Sequence, residues 1–176
     1  MSTTSSKSSK KKGVVTGPAK PKAARAYMPQ AATHQWATPQ ATFDALHEEF
    51  SFTLDPCASA TNYKCARYFT KSDNGLVQDW GTSSVFCNPP YGRGIADWMA
   101  KADEASRLGA TVVMLVPART DTRWFHKFAI TREVRFFQGR LRFGSAKHAA
   151  PFGCILVVFR PCDAVGVATL VRVQAA

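Results

Sequence analysis

The chain has 176 residues, of which 45% are hydrophobic, and this length and composition are typical of one globular domain with a substantial core. No apolar run approaches the length of a membrane-spanning helix, which argues against a membrane protein. The five cysteines form no Cys-x-x-Cys pair and are odd in number, which argues against a zinc site and a disulfide framework. The formal net charge of +11 favours a polyanionic partner such as a nucleic acid.

Most of the positive charge lies in residues 1–26, which contain seven Lys or Arg and no acidic residue, so the remaining chain carries about +4. This segment is rich in Ser, Lys, Gly and Pro, cannot bury enough apolar surface to fold, and lacks the apolar core of a secretory signal. We therefore expect a disordered basic tail over 1–26, a single domain over 27–176 and a cytoplasmic location. The tail either strengthens binding to a polyanion through phosphate contacts or only increases solubility.

In the first half of the domain, the sequence predicts one helix, two strands and a less regular interval. Thr38 and Pro39 are typical of a helix start, as N-cap and first helical residue, and apolar residues follow at helical spacing. We expect a short strand over 51–55 that ends in a carboxylate, a short helix over 62–68, and a buried strand over the apolar run 84–87.

In the second half, helical spacing of apolar residues again alternates with continuous apolar runs. The spacing from Ile95 to Ala105 predicts a helix that Gly109 closes. The further predicted elements are a strongly apolar strand over 111–116, a helix around 124–128, strands over 134–137 and 154–160, and either an edge strand or a tail over 166–173.

Strands that are continuously apolar and alternate with helices predict an α/β fold, with a mostly parallel sheet covered by helices on both faces. In such a sheet, ligands bind at the carboxyl ends of the strands. Asp55, Asn88 and residues 117–119 all follow predicted strands. We therefore expect them to meet at one edge of the sheet and to form a site there.

The sequence Asn88-Pro89-Pro90-Tyr91 suits a site that grips a planar amino group. The exocyclic nitrogen of adenine is a poor nucleophile because its lone pair is delocalised into the ring. The side-chain oxygen of Asn88 and the carbonyl of Pro89 could accept hydrogen bonds from both N–H groups and localise that lone pair, while Tyr91 stacks on the base. The alternative is an ordinary turn that closes a strand, since asparagine and proline are common turn residues.

Two aspartates are weaker candidates for cofactor binding. Asp55 ends a predicted strand and is followed by Pro56, Cys57 and Ala58, so a ligand could approach the backbone there and meet the carboxylate. The glycine fingerprint of dinucleotide sites is absent, and a capping or turn role for Asp55 is an equal alternative. Asp73 could accept a hydrogen bond from the adenine of a cofactor, or it could form a simple Asx turn.

The chain resembles the small phage and prophage DNA adenine-N6 methyltransferases of the Dam type, from about Trp36 to Phe159. The segments that carry this resemblance are, in chain order, Trp36-Ala37-Thr38-Pro39 with Phe43, residues 52–58, Asp73-Asn74-Gly75-Leu76 with Trp80, residues 88–91, residues 116–122 with Trp124-Phe125, and residues 139–144.

The resemblance implies a Rossmann-like fold that uses S-adenosylmethionine. It implies that Asp55, Pro56, Cys57 and Ala58, together with Thr38 and Pro39, hold the methionine end of the cofactor, and that Asp73 lies near its adenine. The tetrapeptide Asn88, Pro89, Pro90 and Tyr91 would be the catalytic loop. A late aromatic residue would pack against the flipped target base, with Phe143 as the first candidate and Phe152 as the second, unless these residues belong to the core.

The chain departs from the family pattern in two respects. Residues 58–60 are Ala-Ser-Ala where the cofactor motif usually has glycines. The interval from Asp55 to Asn88 is also short, so we expect one element of the sheet to be missing or reduced. Because no insertion is large enough for a separate recognition domain, target specificity would depend on the loops 119–127 and 140–151.

These two loops are basic and contain aromatic residues. Arg119, Arg123 and Arg140 are candidates for contacts to DNA phosphates, and further basic residues lie nearby at His126, Lys127, Arg142, Lys147 and His148. The alternative is a solvated basic face without a partner.

Taken together, the sequence predicts a DNA adenine-N6 methyltransferase that is encoded by a phage or prophage and acts in the cytoplasm of the bacterial host, with DNA as partner and without a metal or a membrane. Methylation of RNA bases or of a protein glutamine remains possible, because related amino-group chemistry can use the same tetrapeptide. A non-catalytic nucleic-acid-binding module is a further alternative, which the altered cofactor motif favours. The sequence does not indicate an oligomeric state.

Overall fold

The computed structural model describes Met1, residues 36–161 and the backbone of residues 170–174. The tail predicted over 1–26 and the start of the predicted domain at 27–35 lie outside the described residues. Within the described part of the chain, no helix is long and apolar enough to cross a membrane.

The described elements build one mixed sheet with two main helices. The helices are α1 (Gln40–Phe50) and α2 (Ile95–Arg107), and the strands are β1 (Leu54–Asp55), β2 (Arg67–Tyr68), β3 (Ser84–Cys87), β4 (Thr111–Pro117), β5 (Glu133–Gln138), β6 (Cys154–Phe159) and β7 (Leu170–Gln174). The strand order is β2-β1-β3-β4-β6-β5-β7. Neighbouring strands run parallel except where β6 pairs with β4 and β5. The predicted mostly parallel α/β sheet is confirmed.

The two helices cover opposite faces of the sheet, as expected from its continuously apolar strands. Phe43 of α1 packs edge-on against Phe86 of β3, with 5.2 Å between ring centroids. The register of β3, β4 and β6 directs Phe159 to the other face. There, Asp103 of α2 pairs with Arg132, whose guanidinium lies over the Phe159 ring. The core therefore consists of two apolar layers with the sheet between them.

The short helix predicted over 62–68 is wrong. The carboxylate of Asp55 accepts hydrogen bonds from the backbone N–H groups of Cys57 and Lys64, and it thereby holds the intervening chain in an irregular loop. The chain then enters β2, which pairs with β1. The predicted strand over 51–55 is reduced to two residues, and residues 56–83 contain no helix, in line with the expected loss of an element.

The helix that begins near Thr38 is confirmed, but its predicted cap is wrong. The N-cap is Pro39, and no side chain caps the helix. The hydroxyl of Thr38 accepts a hydrogen bond from Asn88 and makes none to the first turn of α1. The helix predicted around 124–128 is a single π-helical turn, Phe125–Ala129. The last predicted element, for which a strand or a tail was left open, is an edge strand beside β5.

The parallel strands β1, β3, β4 and β5 all end at the same edge of the sheet, here called the carboxyl edge. The antiparallel strand β6 begins there. The residues that meet at this edge are Asp55, Asn88, the segment 117–119, and the chain between β5 and β6. The opposite edge, where β5 begins and β6 ends, is called the amino edge.

Candidate active site

Asn88 follows β3 directly, and two hydrogen bonds orient its side-chain amide. Its Nδ2 group donates to the backbone carbonyl of Trp36 and to the hydroxyl of Thr38, the latter at 2.9 Å. Because a carbonyl oxygen can only accept, the contact with Trp36 determines which end of the amide is the nitrogen. The oxygen of Asn88 therefore faces away from residues 36–38.

That oxygen, Oδ1, is buried and has no hydrogen-bond partner among the described residues. A buried acceptor without a partner costs about 1–3 kcal/mol. The next residue, Pro89, is also buried, and its carbonyl accepts no hydrogen bond within residues 36–161. Two unused acceptors in consecutive residues suit a ligand that donates two N–H groups.

Four rings meet beside this loop and form the aromatic cluster, which consists of Trp36, Tyr91, Phe143 and Phe152. The rings of Trp36 and Tyr91 are nearly parallel, with 6.4 Å between centroids and 22° between planes. Phe143 and Phe152 stand at steep angles to both, each with its centroid 5.3 Å from that of Trp36. Both phenylalanines that the sequence nominated for the target base contact the ring of Tyr91. Phe143 is 3% exposed and belongs to the core, as the alternative interpretation had it, whereas Phe152 is half-buried.

Tyr91 contributes its ring rather than an ionisable group. It is buried, and its hydroxyl donates to the Leu115 carbonyl over a long 3.5 Å. Burial raises the pKa of Tyr91 well above its ordinary value, so the phenol is protonated at neutral pH. Of the other residues in this loop, Pro90 is exposed, and Gly92 adopts a positive φ of 155° before α2 begins.

The carboxylate of Asp55 organises the loop at the end of β1. Its two oxygens accept one hydrogen bond each from the N–H groups of Cys57 and Lys64, both at 3.1 Å. Burial nevertheless raises the pKa of Asp55 to about 6, against the opposing effects of these hydrogen bonds and of the Lys64 charge. The turn role that the sequence left open is therefore present, and the carboxylate keeps lone pairs for a further donor.

Asp73 lies in an exposed turn that packs against the Asp55 loop. Its carboxylate accepts hydrogen bonds from the N–H and hydroxyl groups of Thr70, at 2.8 and 2.7 Å, which lower the pKa of Asp73. Two residues later, a Cβ on Gly75 would lie 2.2 Å from the carbonyl oxygen of Pro56, so only glycine permits this close packing. Asp73 therefore stabilises its turn through Thr70, three residues earlier, and does not form the Asx turn that the sequence left open; this turn lies next to the predicted cofactor loop.

Two cysteines join the Asp55 loop to the strand that carries Asn88. The Sγ atoms of Cys57 and Cys87 are 3.5 Å apart. Burial and the neighbouring sulfur raise the pKa of Cys57 well above its ordinary value, so this thiol is neutral. The sulfur contact, together with the buried Ala58, packs the Asp55 loop against the strand that leads to Asn88.

The three arginines predicted to contact DNA are exposed at the carboxyl edge. Arg119 and Arg123 follow β4, and Arg140 follows β5. Within residues 36–161, their side chains form no ion pair or hydrogen bond, so their charges remain available to a ligand. The described residues include no group of His, Cys, Asp and Glu that could hold a metal ion.

The family model described as DNA N-6-adenine-methyltransferase (Dam) matches residues 25–173. The chain belongs to this family. The Dam-type relatives include the DNA N-6-adenine-methyltransferase of Haemophilus phage HP1, 33% identical over 92 residues, which are 51% of this chain and 53% of the relative. The enzyme of the same name from Escherichia phage T1 is 32% identical over 99 residues, 55% of this chain and 41% of the relative.

The chain therefore spans about half the length of the curated relatives that it matches. Among solved structures, a modification subunit of a restriction enzyme from Vibrio vulnificus has a TM-score of 0.45 and 13% identity, over 80% of this chain and 47% of that one. Methyltransferase families such as the Dam type use S-adenosylmethionine in general.

Trp36 of this Dam-type chain lies at the candidate site, although the sequence had not indicated it as a site residue. Its carbonyl orients Asn88, and its ring belongs to the aromatic cluster. A signal was present, because Trp36 begins the segment Trp-Ala-Thr-Pro that carries the family resemblance. Its distance of 52 residues from Asn88 along the chain concealed the contact.

Proposed function

We propose that this protein is an S-adenosylmethionine-dependent DNA adenine-N6 methyltransferase, encoded by a phage or prophage, that acts in the cytoplasm of the bacterial host on an adenine that is flipped out or single-stranded. The observation that carries the proposal is the unpaired Oδ1 acceptor of Asn88 beside the aromatic cluster, in a chain of the Dam-type family. Extrusion of the base is required because its amino group is not accessible for in-line attack inside a stacked duplex.

The residues at the end of β1 fit the cofactor. S-adenosylmethionine carries the transferable methyl group on a sulfonium sulfur, together with a cationic amino group and a carboxylate. Asp55 offers a buried carboxylate with spare lone pairs to a cation, and its pKa of about 6 indicates that the protein alone does not fully compensate this charge. We assign cofactor binding to Asp55 with its loop Pro56, Cys57 and Ala58, to Thr38 and Pro39, and to Asp73.

Asn88 and Pro89 activate the adenine. The two N–H groups of the base donate to Asn88 Oδ1 and to the Pro89 carbonyl, which moves the nitrogen towards tetrahedral geometry and localises its lone pair. The prolines at 89 and 90 stiffen this loop, so the acceptors are positioned before the base arrives. A basic side chain is not required, since the proton can leave after the methyl group has been transferred.

The aromatic cluster binds the extruded base, and the arginines that have no partner among the described residues bind the DNA backbone. The extruded base enters the aromatic cluster, in which Trp36 and Phe152 are half-buried and Tyr91 and Phe143 are buried, and stacks on the ring of Tyr91. Arg119, Arg123 and Arg140 contact phosphates at the same edge of the sheet. The basic residues 1–26 add further phosphate contacts that do not depend on sequence.

Identification of the methylated product tests the proposal. The purified full-length chain is incubated with S-adenosylmethionine bearing a deuterated methyl group and, separately, with double-stranded DNA, single-stranded DNA, RNA and a glutamine-containing protein extract. Each sample is digested and analysed by mass spectrometry. We expect deuterated N6-methyladenine from DNA, whereas label found only in RNA or in protein glutamine would overturn the assignment of the substrate.

Calorimetry separates this proposal from a nucleic-acid-binding module that lacks a cofactor. Titration of the chain with S-adenosylmethionine should give saturable binding, which Asp55→Ala weakens. If the wild-type chain does not bind at millimolar cofactor but still binds DNA, the enzyme proposal fails and the module is favoured.

A further inference from the structure

Thr38 has the sequence context of a helix cap but serves another residue. It is buried, and α1 has no side-chain cap although Thr38 and Pro39 precede it. The hydroxyl oxygen of Thr38 instead accepts a hydrogen bond from Asn88 Nδ2 at 2.9 Å. This buried hydroxyl therefore bonds to Asn88, 50 positions away in the sequence, rather than to the adjacent helix, and this choice of partner requires an explanation.

We propose that Thr38 is a positioning residue: its hydroxyl holds the Asn88 amide in the orientation that the Trp36 carbonyl selects, and so keeps Oδ1 in place as the acceptor for the amino group of the substrate. This inference rests on the proposed function and deepens it. Thr38 acts through Asn88, and the proposal does not require Thr38 to touch the base.

The orientation of the amide matters because its two ends have opposite hydrogen-bonding character. Rotation of the Asn88 amide by 180° would place Oδ1 against the carbonyl of Trp36, so that two acceptors face each other. The same rotation would turn the NH₂ group towards the position of the substrate amino group, where two donors would oppose each other. The Trp36 carbonyl, which can only accept, therefore selects the productive orientation, and the Thr38 hydroxyl adds a second acceptor that holds the amide in it.

The segment that carries these acceptors is itself held in place. The carbonyl of Ala37 accepts a hydrogen bond of 2.7 Å from the N–H of Gly144. Gly144 has a φ of 55°, a conformation that suits glycine, and its position directly after Phe143 ties residues 36–38 to the aromatic cluster. The acceptors for Asn88 are therefore part of the same packed unit as the rings.

The chain offers a matched control for a threonine substitution. Thr42 is buried to the same extent as Thr38, each with a relative exposure of 5%, and lies one helical turn further along. Its hydroxyl has no hydrogen-bond partner among the described residues. Thr42→Val therefore removes a buried hydroxyl nearby without removing an acceptor of Asn88.

The test compares two pairs of side chains that differ only by the hydroxyl: Thr38 with Thr38→Val, and Thr38→Ser with Thr38→Ala. Single-turnover methylation is measured with saturating S-adenosylmethionine and DNA, and thermal melting confirms the fold of each variant. We expect Val and Ala to lower the rate about tenfold relative to Thr and Ser, the effect of one lost hydrogen bond. Thr42→Val should retain the wild-type rate.

The affinity for S-adenosylmethionine distinguishes positioning from cofactor contact. If Thr38→Val changes only the cofactor dissociation constant and leaves the saturated rate at the wild-type value, the positioning role is overturned. Equal rates within either hydroxyl pair would overturn it as well. If the wild-type chain forms no N6-methyladenine at all, the proposed function fails instead, which the product analysis reveals independently.

A measurement without substrate tests the same contact. The side-chain NH₂ signals of Asn88, assigned by their loss in Asn88→Ala, are followed by NMR. In Thr38→Val we expect faster exchange of these protons with solvent and a shift of at least one signal, with Thr38→Ser close to wild type. Unchanged signals in Thr38→Val would contradict the inference whether or not the enzyme is active.

Discussion

The two edges of the sheet treat their polar groups in opposite ways. At the amino edge, Arg135 bonds to Glu49 and Glu133, and Arg160 bonds to Glu133, so that these charges are satisfied within the chain. At the carboxyl edge, Asn88 Oδ1 is buried without a partner in the described part of the chain, and the nearby arginines form no ion pairs there. The charged side chains named at the amino edge pair with one another, whereas the groups named at the carboxyl edge can still bond to a ligand.

This difference shows that polar groups without a partner, such as Asn88 Oδ1, are not found equally at both edges of the sheet. The side chain of Arg135 is paired with two carboxylates, whereas Asn88 Oδ1 and the hydroxyl of Thr42 are buried without a partner among the described residues. Asn88 differs from Thr42 because its oxygen lies beside the aromatic cluster and is followed by the carbonyl of Pro89, so a ligand that supplies the missing donors best explains a cost of about 1–3 kcal/mol at this position. The comparison predicts that changes near the amino edge alter stability, whereas changes at the carboxyl edge alter methylation.

The largest effect on stability is expected from Asp103→Asn in α2. Asp103 and Arg132 form a buried ion pair at 2.7 Å, with side chains that are 9% and 10% exposed. Breaking one partner of a buried pair typically lowers the free energy of unfolding by about 3–5 kcal/mol. Chemical denaturation measures this loss, and the methylation rate should be retained where the variant is folded. If Asp103→Asn left the stability unchanged but slowed methylation, it would contradict the prediction that changes near the amino edge alter stability rather than methylation.

At the carboxyl edge, Tyr91→Ala should weaken DNA use while Tyr91→Phe should not. Stacking of a base on an aromatic ring is worth about 1–3 kcal/mol, so kcat/KM for DNA should fall roughly 10- to 100-fold in the alanine variant. Phenylalanine keeps the ring and loses only the long contact with the Leu115 carbonyl. Steady-state kinetics on one oligonucleotide compares both. Equal losses in the two variants would point to the hydroxyl rather than to stacking.

Cofactor affinity should rise with pH at the Asp55 loop. The raised pKa, about 6, means that the carboxylate is mostly protonated at pH 5 and mostly ionised at pH 7. A cationic amino group binds the ionised form, so the dissociation constant for S-adenosylmethionine should fall about tenfold over this interval. Calorimetry at both pH values measures the change. Asp55→Asn should bind weakly at either pH, and a persistent pH dependence in that variant would implicate another group.

The smallest effect is expected from single arginines that contact phosphates. Each phosphate contact changes the slope of log K against log salt concentration by about 0.9, so Arg119→Gln and Arg123→Gln should each reduce the slope by roughly one. Arg107→Gln removes the same charge at the C-terminal end of α2, where Arg107 pairs with Asp103. This control should leave the slope unchanged, and an equal reduction would indicate binding by net charge alone.

The sequence predicted the parts of the fold that depend on local apolar patterns. The continuous runs of β3, β4 and β6 and the helical spacing of α2 were found because burial on both sides of a sheet leaves a signal in neighbouring residues. The placement of Asp55 and Asn88 at the carboxyl edge followed from the alternation of strands and helices. The loop at 56–66 was missed because a single carboxylate, Asp55, overrides the local helical preference.

The contacts that build the site were harder to predict, because they join distant segments. Nothing in the sequence around Thr38 distinguishes a helix cap from an acceptor for Asn88, since both use the same hydroxyl. The same holds for Trp36, whose role depends on the sheet bringing residue 88 beside it. The tetrapeptide proposed as the catalytic loop was recognisable from its residue types, whereas the residues that orient Asn88 could be found only in three dimensions.

The central claim is that the Asn88 oxygen accepts the hydrogen bond that activates the target amino group. It is tested most directly by the single-turnover rate of N6-methyladenine formation in wild type and in Asn88→Ala, at saturating cofactor and DNA. We predict a rate at least about 100-fold lower in the variant, of the order found when one preorganised hydrogen-bonding group is lost, with unchanged melting and unchanged affinity for S-adenosylmethionine. A variant that methylates DNA at the wild-type rate would contradict the account.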